Sequence, residues 1–271
     1  MATERIGAKV YAQVLEPDLM MTMLTDARIA LACLDLTSLG EDDTPATAAA
    51  LAKRAHTPYG TPAAICVYPE LILATRMSLM REGIPQVRVA TVVNFPDGSV
   101  YAERADNETR RALAVGADEI DLVFPWRAFQ AGDRAAAVAL VKGVKARCAK
   151  VQLKVILESS AFEDLEQLRA AADAAIAGGA DFLKTSTGKA GAVASLVAAR
   201  CLGEAIRAAS RPVGLKISGG VRTLADASRY LAVASEIYGR ERVVPARFRI
   251  GASALLDELL PALALEPADE D

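Results

Sequence analysis

A regular alternation of short apolar runs with longer, alanine-rich amphipathic stretches constrains the fold most strongly. The apolar runs are residues 32–36, 63–68, 87–95, 119–124, 151–158, 181–184, 213–217 and 248–251. Helical stretches follow them, near residues 45–55, 70–82, 101–115, 133–148, 163–177, 191–209, 223–237 and 253–260. Strands that alternate with helices in this way are typical of a parallel α/β sheet.

Eight such units in about 230 residues predict an α/β fold of the (β/α)8 TIM barrel type with a single domain. An open doubly wound sheet is the competing architecture, but it would more often show a glycine-rich fingerprint after its first strand. The turn at residues 35–40 has no such fingerprint. We expect an N-terminal extension over residues 1–24, the barrel over residues 25–262 and an acidic C-terminal tail over residues 263–271.

Composition narrows the choice of partner. The chain has 31 basic and 34 acidic residues, a net charge of −3 and no basic stripe, which argues against nucleic acid or an anionic membrane as partner. We therefore expect a small molecule as partner. Charged residues near the start argue against a signal peptide, and no apolar run approaches the ~18 residues of a membrane span.

The four cysteines lack C-x-x-C spacing and lie in apolar surroundings. We therefore expect reduced thiols in a cytoplasmic protein.

The single histidine, His56, excludes many kinds of site. A catalytic zinc site usually needs two or three histidines, and a Ser-His or Cys-His pair would have to use this one residue. His56 lies before a Pro-Gly loop, where a position at the end of a helix explains it. We therefore expect no metal site.

The positions of polar residues within the predicted strands indicate an occupied barrel interior. Successive side chains of a strand alternate faces, and the aliphatic face must pack on the helices. The opposite face carries charged residues, which are Glu119, Asp121, Lys154, Glu158, Lys184 and Lys216. Polar groups directed inward cost several kcal/mol each if they are unpaired, so they favour a functional site at the C-terminal mouth.

Lys184 and Lys216 end neighbouring strands. Two ammonium groups about 5 Å apart repel by roughly 3 kcal/mol at an effective dielectric near 20, which corresponds to about two pKa units. With desolvation, this would leave one lysine neutral often enough to attack a carbonyl. The alternative is that each lysine forms an ordinary salt bridge with an inward carboxylate such as Asp121 or Glu158.

Glycine-rich turns follow the last two predicted strands. Gly219-Gly220 follows strand seven, and Gly251-Ala252-Ser253 follows strand eight and opens a short helix. Backbone N–H groups in such turns can approach an anion, and these loops are the common phosphate site of a TIM barrel.

Together these residues resemble the 2-deoxyribose-5-phosphate aldolase family over residues 28–260. The matching motifs are Lys184-Thr185-Ser186-Thr187-Gly188-Lys189, Lys216 with Gly219-Gly220-Val221-Arg222, Asp118 to Pro125, Cys33-Leu34-Asp35-Leu36-Thr37 and Gly251-Ala252-Ser253. The resemblance implies a TIM barrel of the class I aldolases, which need no metal and no organic cofactor. Its expected reaction is the reversible cleavage of 2-deoxy-D-ribose 5-phosphate to D-glyceraldehyde 3-phosphate and acetaldehyde.

Carried over by position, the resemblance assigns a role to each matching residue. Lys184 becomes the Schiff-base nucleophile, Lys216 the cation that lowers its pKa, and Asp121 the acid/base group. The remaining assignments are Asp35, Thr37, Thr187 and Lys189 in the substrate pocket, Gly188, Gly219, Gly220 and Ser253 around the phosphate, and Lys154 and Glu158 as supporting residues.

The sequence departs from the family pattern at three places. Ile217-Ser218 replaces a common Pro-Ala, Ala254 replaces a frequent second serine, and the tail lacks the C-terminal tyrosine of some members. Two other functions therefore stay open: lysine chemistry on a different aldehyde or sugar phosphate, and a barrel that binds sugar phosphates without turnover. Assembly into a homo-oligomer also stays open, because alanine-rich helix faces suit either a partner copy or solvent.

Overall fold

The computed structural model of the protein describes residues 17–189, 191 and 194–265. Within these residues eight parallel strands pair in chain order, and β8 pairs with β1 to close a barrel. The strands are β1 (Leu34–Thr37), β2 (Ala64–Val67), β3 (Arg88–Val93), β4 (Glu119–Val123), β5 (Gln152–Ile156), β6 (Phe182–Lys184), β7 (Gly214–Ser218) and β8 (Phe248–Ala252). The predicted (β/α)8 TIM barrel is confirmed, and the open sheet was the wrong alternative.

Helices surround this barrel. Those of the described ranges are α1 (Pro17–Ala32), α2 (Pro45–Ala55), α3 (Ile72–Arg81), α4 (Ala102–Ala114), α5 (Trp126–Gln130), α6 (Arg134–Cys148), α7 (Leu165–Ala177), α8 (Leu196–Ala208), α9 (Leu224–Tyr238) and α10 (Leu255–Leu263). None of them is long and apolar enough to cross a membrane.

The aliphatic face of the strands packs on the helices, as the alternation predicts. Leu153, Leu183 and Leu215 are buried in the apolar core shared by the sheet and the helices. Local signals fix the helix ends: Thr44 caps α2 ahead of Pro45, and His56 is its C-terminal cap residue. The helix-end explanation of His56 therefore agrees with the structure.

The first helix differs from the expected extension. Residues 17–24, expected to belong to the loose segment, form the first half of α1, which packs against α9 and α10. Leu24, Ala27 and Leu31 are buried at helical spacing, but the preceding methionine-rich half has no clear period, which hid the helix. Residues 1–16 and 266–271 lie outside the described residues, so the division into extension, barrel and tail stays a prediction.

Smaller differences concern helix starts. The stretch near residues 70–82 divides into a 3-10 turn at Pro69–Leu71 and then α3. The stretch near 191–209 forms α8 from Leu196, where Ser195 caps it. The short α5 was not expected, because a single turn is too short to show periodicity.

Candidate active site

The charged residues expected to face inward come from neighbouring strands at matching heights. Lys184, the last residue of β6, pairs in register with Lys216 of β7. Asp121 of β4 pairs in register with Lys154 of β5. Register partners in adjacent strands point to the same side of a sheet, so each pair shares the inside of the barrel.

Asp121 is the centre of the arrangement, because its carboxylate accepts hydrogen bonds from three lysines. Its Oδ2 atom accepts from Nζ of Lys184 and from Nζ of Lys216, each at 2.8 Å. Its Oδ1 atom accepts from Nζ of Lys154 at 2.9 Å. Since Lys184 and Lys216 share one oxygen atom, their amines are close enough to repel each other when both are charged.

Lys216 and Lys154 have further carboxylate partners. Nζ of Lys216 lies 2.6 Å from Oδ2 of Asp35. Nζ of Lys154 lies 2.5 Å from Oε2 of Glu119 and 3.4 Å from Oδ2 of Asp35. Among the described residues, Lys184 thus has one carboxylate partner, Lys216 two and Lys154 three.

A buried arginine completes the arrangement. Nη1 of Arg249 donates to Oδ1 of Asp35 at 2.5 Å, and Nη2 donates to Oε1 of Glu119 at 2.7 Å. We call the resulting group the interior network, and its members are Asp35, Glu119, Asp121, Lys154, Lys184, Lys216 and Arg249.

The interior network has an excess of positive charge when every group is ionised. Its members, all from the described part of the chain, are four cations and three carboxylates. An uncompensated charge in a low-dielectric interior is costly, so loss of one proton is favourable. Arginine does not give up its proton, and of the three lysines Lys184 has the fewest carboxylates to hold it.

The pKa of Lys184 shifts in the opposite direction from the pKa values of Lys154 and Lys216. Burial lowers the pKa of Lys184, Asp121 opposes the effect and Lys216 adds to it, so the pKa falls below its ordinary 10.5. Burial acts in the same direction on Lys216, but Asp121 and Asp35 raise the pKa of this lysine above its ordinary value. Carboxylates likewise raise the pKa of Lys154 against burial. Lys184 therefore reaches the neutral, nucleophilic form most readily.

The carboxylates of the interior network remain ionised at neutral pH. Burial alone would raise the pKa of Asp121, but the three lysines around it hold that pKa well below its ordinary 3.8. The pKa of Asp35 and that of Glu119 are also lowered by nearby cations against the effect of burial. The site can thus supply a nucleophilic amine beside a permanently negative carboxylate.

The loops at the C-terminal mouth expose backbone donors. Gly188, Gly219 and Gly220 adopt φ angles of 79°, 96° and 82°, a region that favours glycine. Their N–H groups, and that of Ser253 just before α10, donate to no residue that the structure describes. Free N–H groups at glycine turns and at a helix N-terminus are favourable for binding an anion.

Glu158 and Thr187 join two loops of the mouth. The backbone N–H and Oγ1 of Thr187 donate to Oε2 of Glu158, at 3.3 Å and 2.6 Å. Glu158 has a φ of 52°, which is uncommon for a residue other than glycine. Its Oε1 atom and Oγ of Ser186 are buried without a hydrogen-bond partner in the described ranges, so both can accept one from a ligand or water.

Comparison with known proteins decides the family. The model of the DeoC/LacD family aldolase matches residues 29–259, most of the chain. The chain belongs to the DeoC/LacD family of aldolases. It is therefore an enzyme, and its reaction class is that of a carbon–carbon lyase.

Solved structures share the fold of the aldolase. A "putative deoxyribose-phosphate aldolase" from Toxoplasma gondii is 27% identical with a TM-score of 0.84, and the match covers 92% of this aldolase and 99% of that chain. One from Coccidioides immitis is 27% identical with a TM-score of 0.74, covering 86% and 85%. A deoxyribose phosphate aldolase from Aeropyrum pernix is 23% identical with a TM-score of 0.71, covering 92% and 98%, and supports the fold alone.

The structure brings together four of the five residues expected to be catalytic or supporting. Asp121, Lys154, Lys184 and Lys216 of the aldolase lie in the interior network. Glu158 is separate, because its carboxylate accepts from a threonine of the next loop. The salt-bridge alternative is thus partly right: both lysines of the pair contact Asp121, yet the pKa of Lys184 is still lowered.

The residues expected to line the substrate pocket of the aldolase separate into two groups. Asp35 is fully buried in the interior network, and Thr37 beside it donates to the Asp35 carbonyl at 2.8 Å. Lys189 is exposed, and so is Ser253, which was expected around the phosphate. Thr187 is buried, and its Oγ1 accepts from the backbone N–H of Lys189 at 3.0 Å.

Sequence reasoning missed two members of the interior network and one neighbour. The sequence pattern places Glu119 on the inward face without assigning it a role, and it leaves Arg249 unassigned. Cys66 of β2 carries a buried thiol, whose pKa is raised by burial above all, beside Lys216. The alternation of strand faces, applied to residues 248–250, directs Arg249 inward, because Phe248 and Ile250 on either side of it are apolar. No group of three or more His, Cys, Asp or Glu side chains in the described ranges could hold a metal ion.

Proposed function

We propose that this aldolase reversibly cleaves 2-deoxy-D-ribose 5-phosphate to D-glyceraldehyde 3-phosphate and acetaldehyde through a Schiff base on Lys184. The observation that carries the proposal is the distribution of carboxylates in the interior network, where Lys184 has a single partner and a lowered pKa. The family supplies the reaction class. The names of the related structures support this substrate.

The proposed reaction begins with attack of the neutral Lys184 amine on the aldehyde carbon of the open-chain sugar. Loss of water gives an iminium ion. The C2–C3 bond then breaks, and its electron pair moves into the iminium to form an enamine. The C3 hydroxyl passes its proton to a water molecule beside Asp121 and becomes the aldehyde of D-glyceraldehyde 3-phosphate. Protonation of the enamine at C2 and hydrolysis release acetaldehyde and restore the amine.

Lys216 and Asp121 support this sequence in different ways. Lys216 remains charged, because two carboxylates raise its pKa, and it therefore lowers the pKa of Lys184 throughout the cycle. Asp121 remains a carboxylate whose Oδ2 atom lies 2.8 Å from the reacting amine. Its lowered pKa makes it a weak base, so we propose that it orients a water molecule and stabilises the iminium charge rather than storing the proton.

The glycine loops at the mouth suit the phosphate of this substrate. We assign it to the N–H groups of Gly188, Gly219, Gly220 and Ser253, which have no partner among the described residues, with the N-terminus of α10 adding a partial positive charge. Ala254 offers no hydroxyl, so backbone donors carry more of the binding. Buried, free thiols at all four cysteines favour a reducing compartment, and we place the reaction in the cytoplasm.

Borohydride trapping tests the nucleophile. The aldolase is incubated with acetaldehyde, reduced, digested and analysed by peptide mass spectrometry. The proposal predicts one N-ethyl group on Lys184, and none on the same peptide of a Lys184→Met variant that retains the wild-type circular dichroism spectrum. An adduct on Lys154 or Lys216, with Lys184 unmodified, would contradict the assignment.

Paired substrates test the phosphate site and the two alternative functions. Acetaldehyde release from 2-deoxyribose 5-phosphate should exceed release from unphosphorylated 2-deoxyribose, mainly through a lower KM. Equal rates would favour an aldolase for another substrate. Tight binding of the phosphate sugar without aldehyde release, unchanged in Lys184→Met, would indicate a barrel that binds without turnover.

A further inference from the structure

The interior network contains a cation that does not touch the reacting amine. Arg249 lies on β8, while Lys184 is at the end of β6, and the two are linked through carboxylates and other lysines. The side chain of Arg249 is 2% exposed, and its guanidinium group contacts Asp35 and Glu119, which in turn bind Lys216 and Lys154. A buried arginine with two carboxylate partners therefore adds a fixed positive charge to the network.

The surroundings of Arg249 keep that charge desolvated. Its Cζ atom lies 5.9 Å from the centre of the Phe182 ring, and its Nε atom donates to the Pro245 carbonyl at 2.5 Å. The ring can lie there because residue 214 is glycine: a Cβ atom at that position would come within 2.4 Å of the Phe182 ring. Burial raises the pKa of the neighbouring Cys33 thiol to about 12, so this thiol adds no charge.

The charge balance gives Arg249 a consequence for Lys184. With Arg249 present, a fully protonated interior network has one positive charge in excess, and release of a proton from Lys184 makes it neutral. Without Arg249, the fully protonated network would already be neutral. Deprotonation of Lys184 would then leave an uncompensated negative charge in the interior.

Removal of Glu119 has the opposite consequence. The network would then hold four cations and two carboxylates, so that proton loss becomes still more favourable. Two other ionisable groups lie outside this count. Burial raises the pKa of the Cys66 thiol and keeps it neutral, and the Glu158 carboxylate is not a member of the interior network but accepts from Thr187. Arg88 touches Glu119 at 3.2 Å from outside the network, but its side chain is 53% exposed and thus screened by water.

We propose that Arg249 is a positioning residue of this aldolase, whose fixed charge, opposed by that of Glu119, makes Lys184 the uncharged member of the interior network. The inference rests on the proposed role of Lys184. It extends that role to a residue that contacts neither substrate nor the reacting amine.

The test is the pH dependence of Schiff-base formation on Lys184. Acetaldehyde adducts are trapped with cyanoborohydride at a series of pH values, and the initial rate at the Lys184 peptide is measured by mass spectrometry. Arg249→Met should move the midpoint to higher pH by about one unit. Glu119→Gln should move it to lower pH, and Arg249→Lys, which keeps a cation, should restore most of the wild-type profile.

The controls separate charge from structure. Arg88→Gln removes the screened cation beside the same carboxylate and should shift the midpoint far less than Arg249→Met. A purely structural role would reduce the amplitude of all profiles without moving their midpoints, and this result would overturn the inference. A shift of the Glu119→Gln midpoint to higher pH than that of the wild type would also overturn it, and this shift can be measured even if Arg249→Met does not fold.

These outcomes are distinct from failure of the proposed function. If the wild-type adduct forms at a lysine other than Lys184, the proposed function and this inference both fail. If the adduct forms at Lys184 and the midpoints do not move, the inference alone fails.

Discussion

At the scale of single residues, the site depends on how many carboxylate oxygens surround each of three identical amines. Lys154 and Lys216 are fully buried and held by several carboxylates, whereas Lys184 is 2% exposed at the end of its strand and held by one. Burial penalises all three charges, but it prevails over the local carboxylates at Lys184 alone among them. A difference in partners thus converts a common side chain into a nucleophile.

Lys216→Met tests this difference. The substitution removes the cation that repels the Lys184 amine. It also removes the second lysine that donates to Oδ2 of Asp121, so this oxygen atom interacts more strongly with Lys184. Both changes raise the pKa of Lys184. The midpoint of the kcat/KM profile, which reports the free enzyme, should move to higher pH by roughly two units, with about 100-fold lower kcat/KM near neutrality. Initial rates over a pH series check this, and an unchanged or lowered midpoint would show that Lys216 does not perturb Lys184.

The sequence predicts which side of a strand a residue faces, but it does not predict which side chains share a contact. The face alternation of strands directed Asp121, Lys154, Lys184 and Lys216 inward, and the structure brings them together. The sharing of Asp121 between three amines could not be predicted, because it depends on barrel closure and on side-chain length. The role of Arg249 could not be predicted, because its partners Asp35 and Glu119 come from strands distant in sequence.

At the scale of elements, adjacent strands must leave room for long side chains inside the barrel. Gly251 of β8 lies against Lys216, because a Cβ atom built on Gly251 would be 3.0 Å from Cε of Lys216 and 3.1 Å from Cβ of Ser218. The lysine side chain therefore passes over a strand position that has no side chain. This is a close packing requirement, separate from the anion-binding role expected for the loop that follows.

Gly251→Ala should displace Lys216 from its two carboxylates. We expect a loss of about 1–3 kcal/mol in the free energy of unfolding and a slower Schiff-base reaction. Gly143→Ala in α6 is the matched control, because a Cβ atom there meets nothing within 4 Å. The control should be neutral or more stable by up to ~1 kcal/mol. Equal stability of the two variants in urea unfolding would contradict this account of Gly251.

Elements with strong periodic or capping signals were predictable, whereas those defined by tertiary contact were not. The eight strands and the helices that follow them agree with the predicted order. The first half of α1 carries methionines with weak periodicity, and its contacts with α9 and α10 define it instead. Packing against distant elements is invisible in a local window of sequence.

At the scale of the whole molecule, the interior network joins six of the eight strands of the barrel, which are β1 and β4 to β8. Asp35, Glu119 and Asp121 have lowered pKa values in the folded protein. Below their ordinary values of 3.8 for aspartate and 4.5 for glutamate, the unfolded chain therefore binds more protons than the folded one. The free energy of unfolding should be constant above this range with respect to these groups and fall as the pH drops through it.

Asp121→Asn tests the structural share of this network. The substitution removes one carboxylate partner from each of three lysines. At neutral pH it should lower the free energy of unfolding by roughly 3–5 kcal/mol. Its further loss in acid should be smaller than that of the wild type, because one linked carboxylate is gone. Asp257→Asn, which removes an exposed salt bridge to Arg54, should change little. Urea unfolding at neutral and acidic pH measures both, and a neutral-pH stability equal to that of Asp257→Asn would contradict the expectation.

The most direct measurement of the central claim is a pH titration of the three barrel lysines by NMR, with the lysine side chains isotopically labelled and assigned through Lys→Met variants. Our account predicts that Lys184 loses its proton first, at a pH below the ordinary 10.5, while Lys154 and Lys216 remain charged beyond that value. A first proton lost from Lys154 or Lys216, with Lys184 still charged, would contradict it.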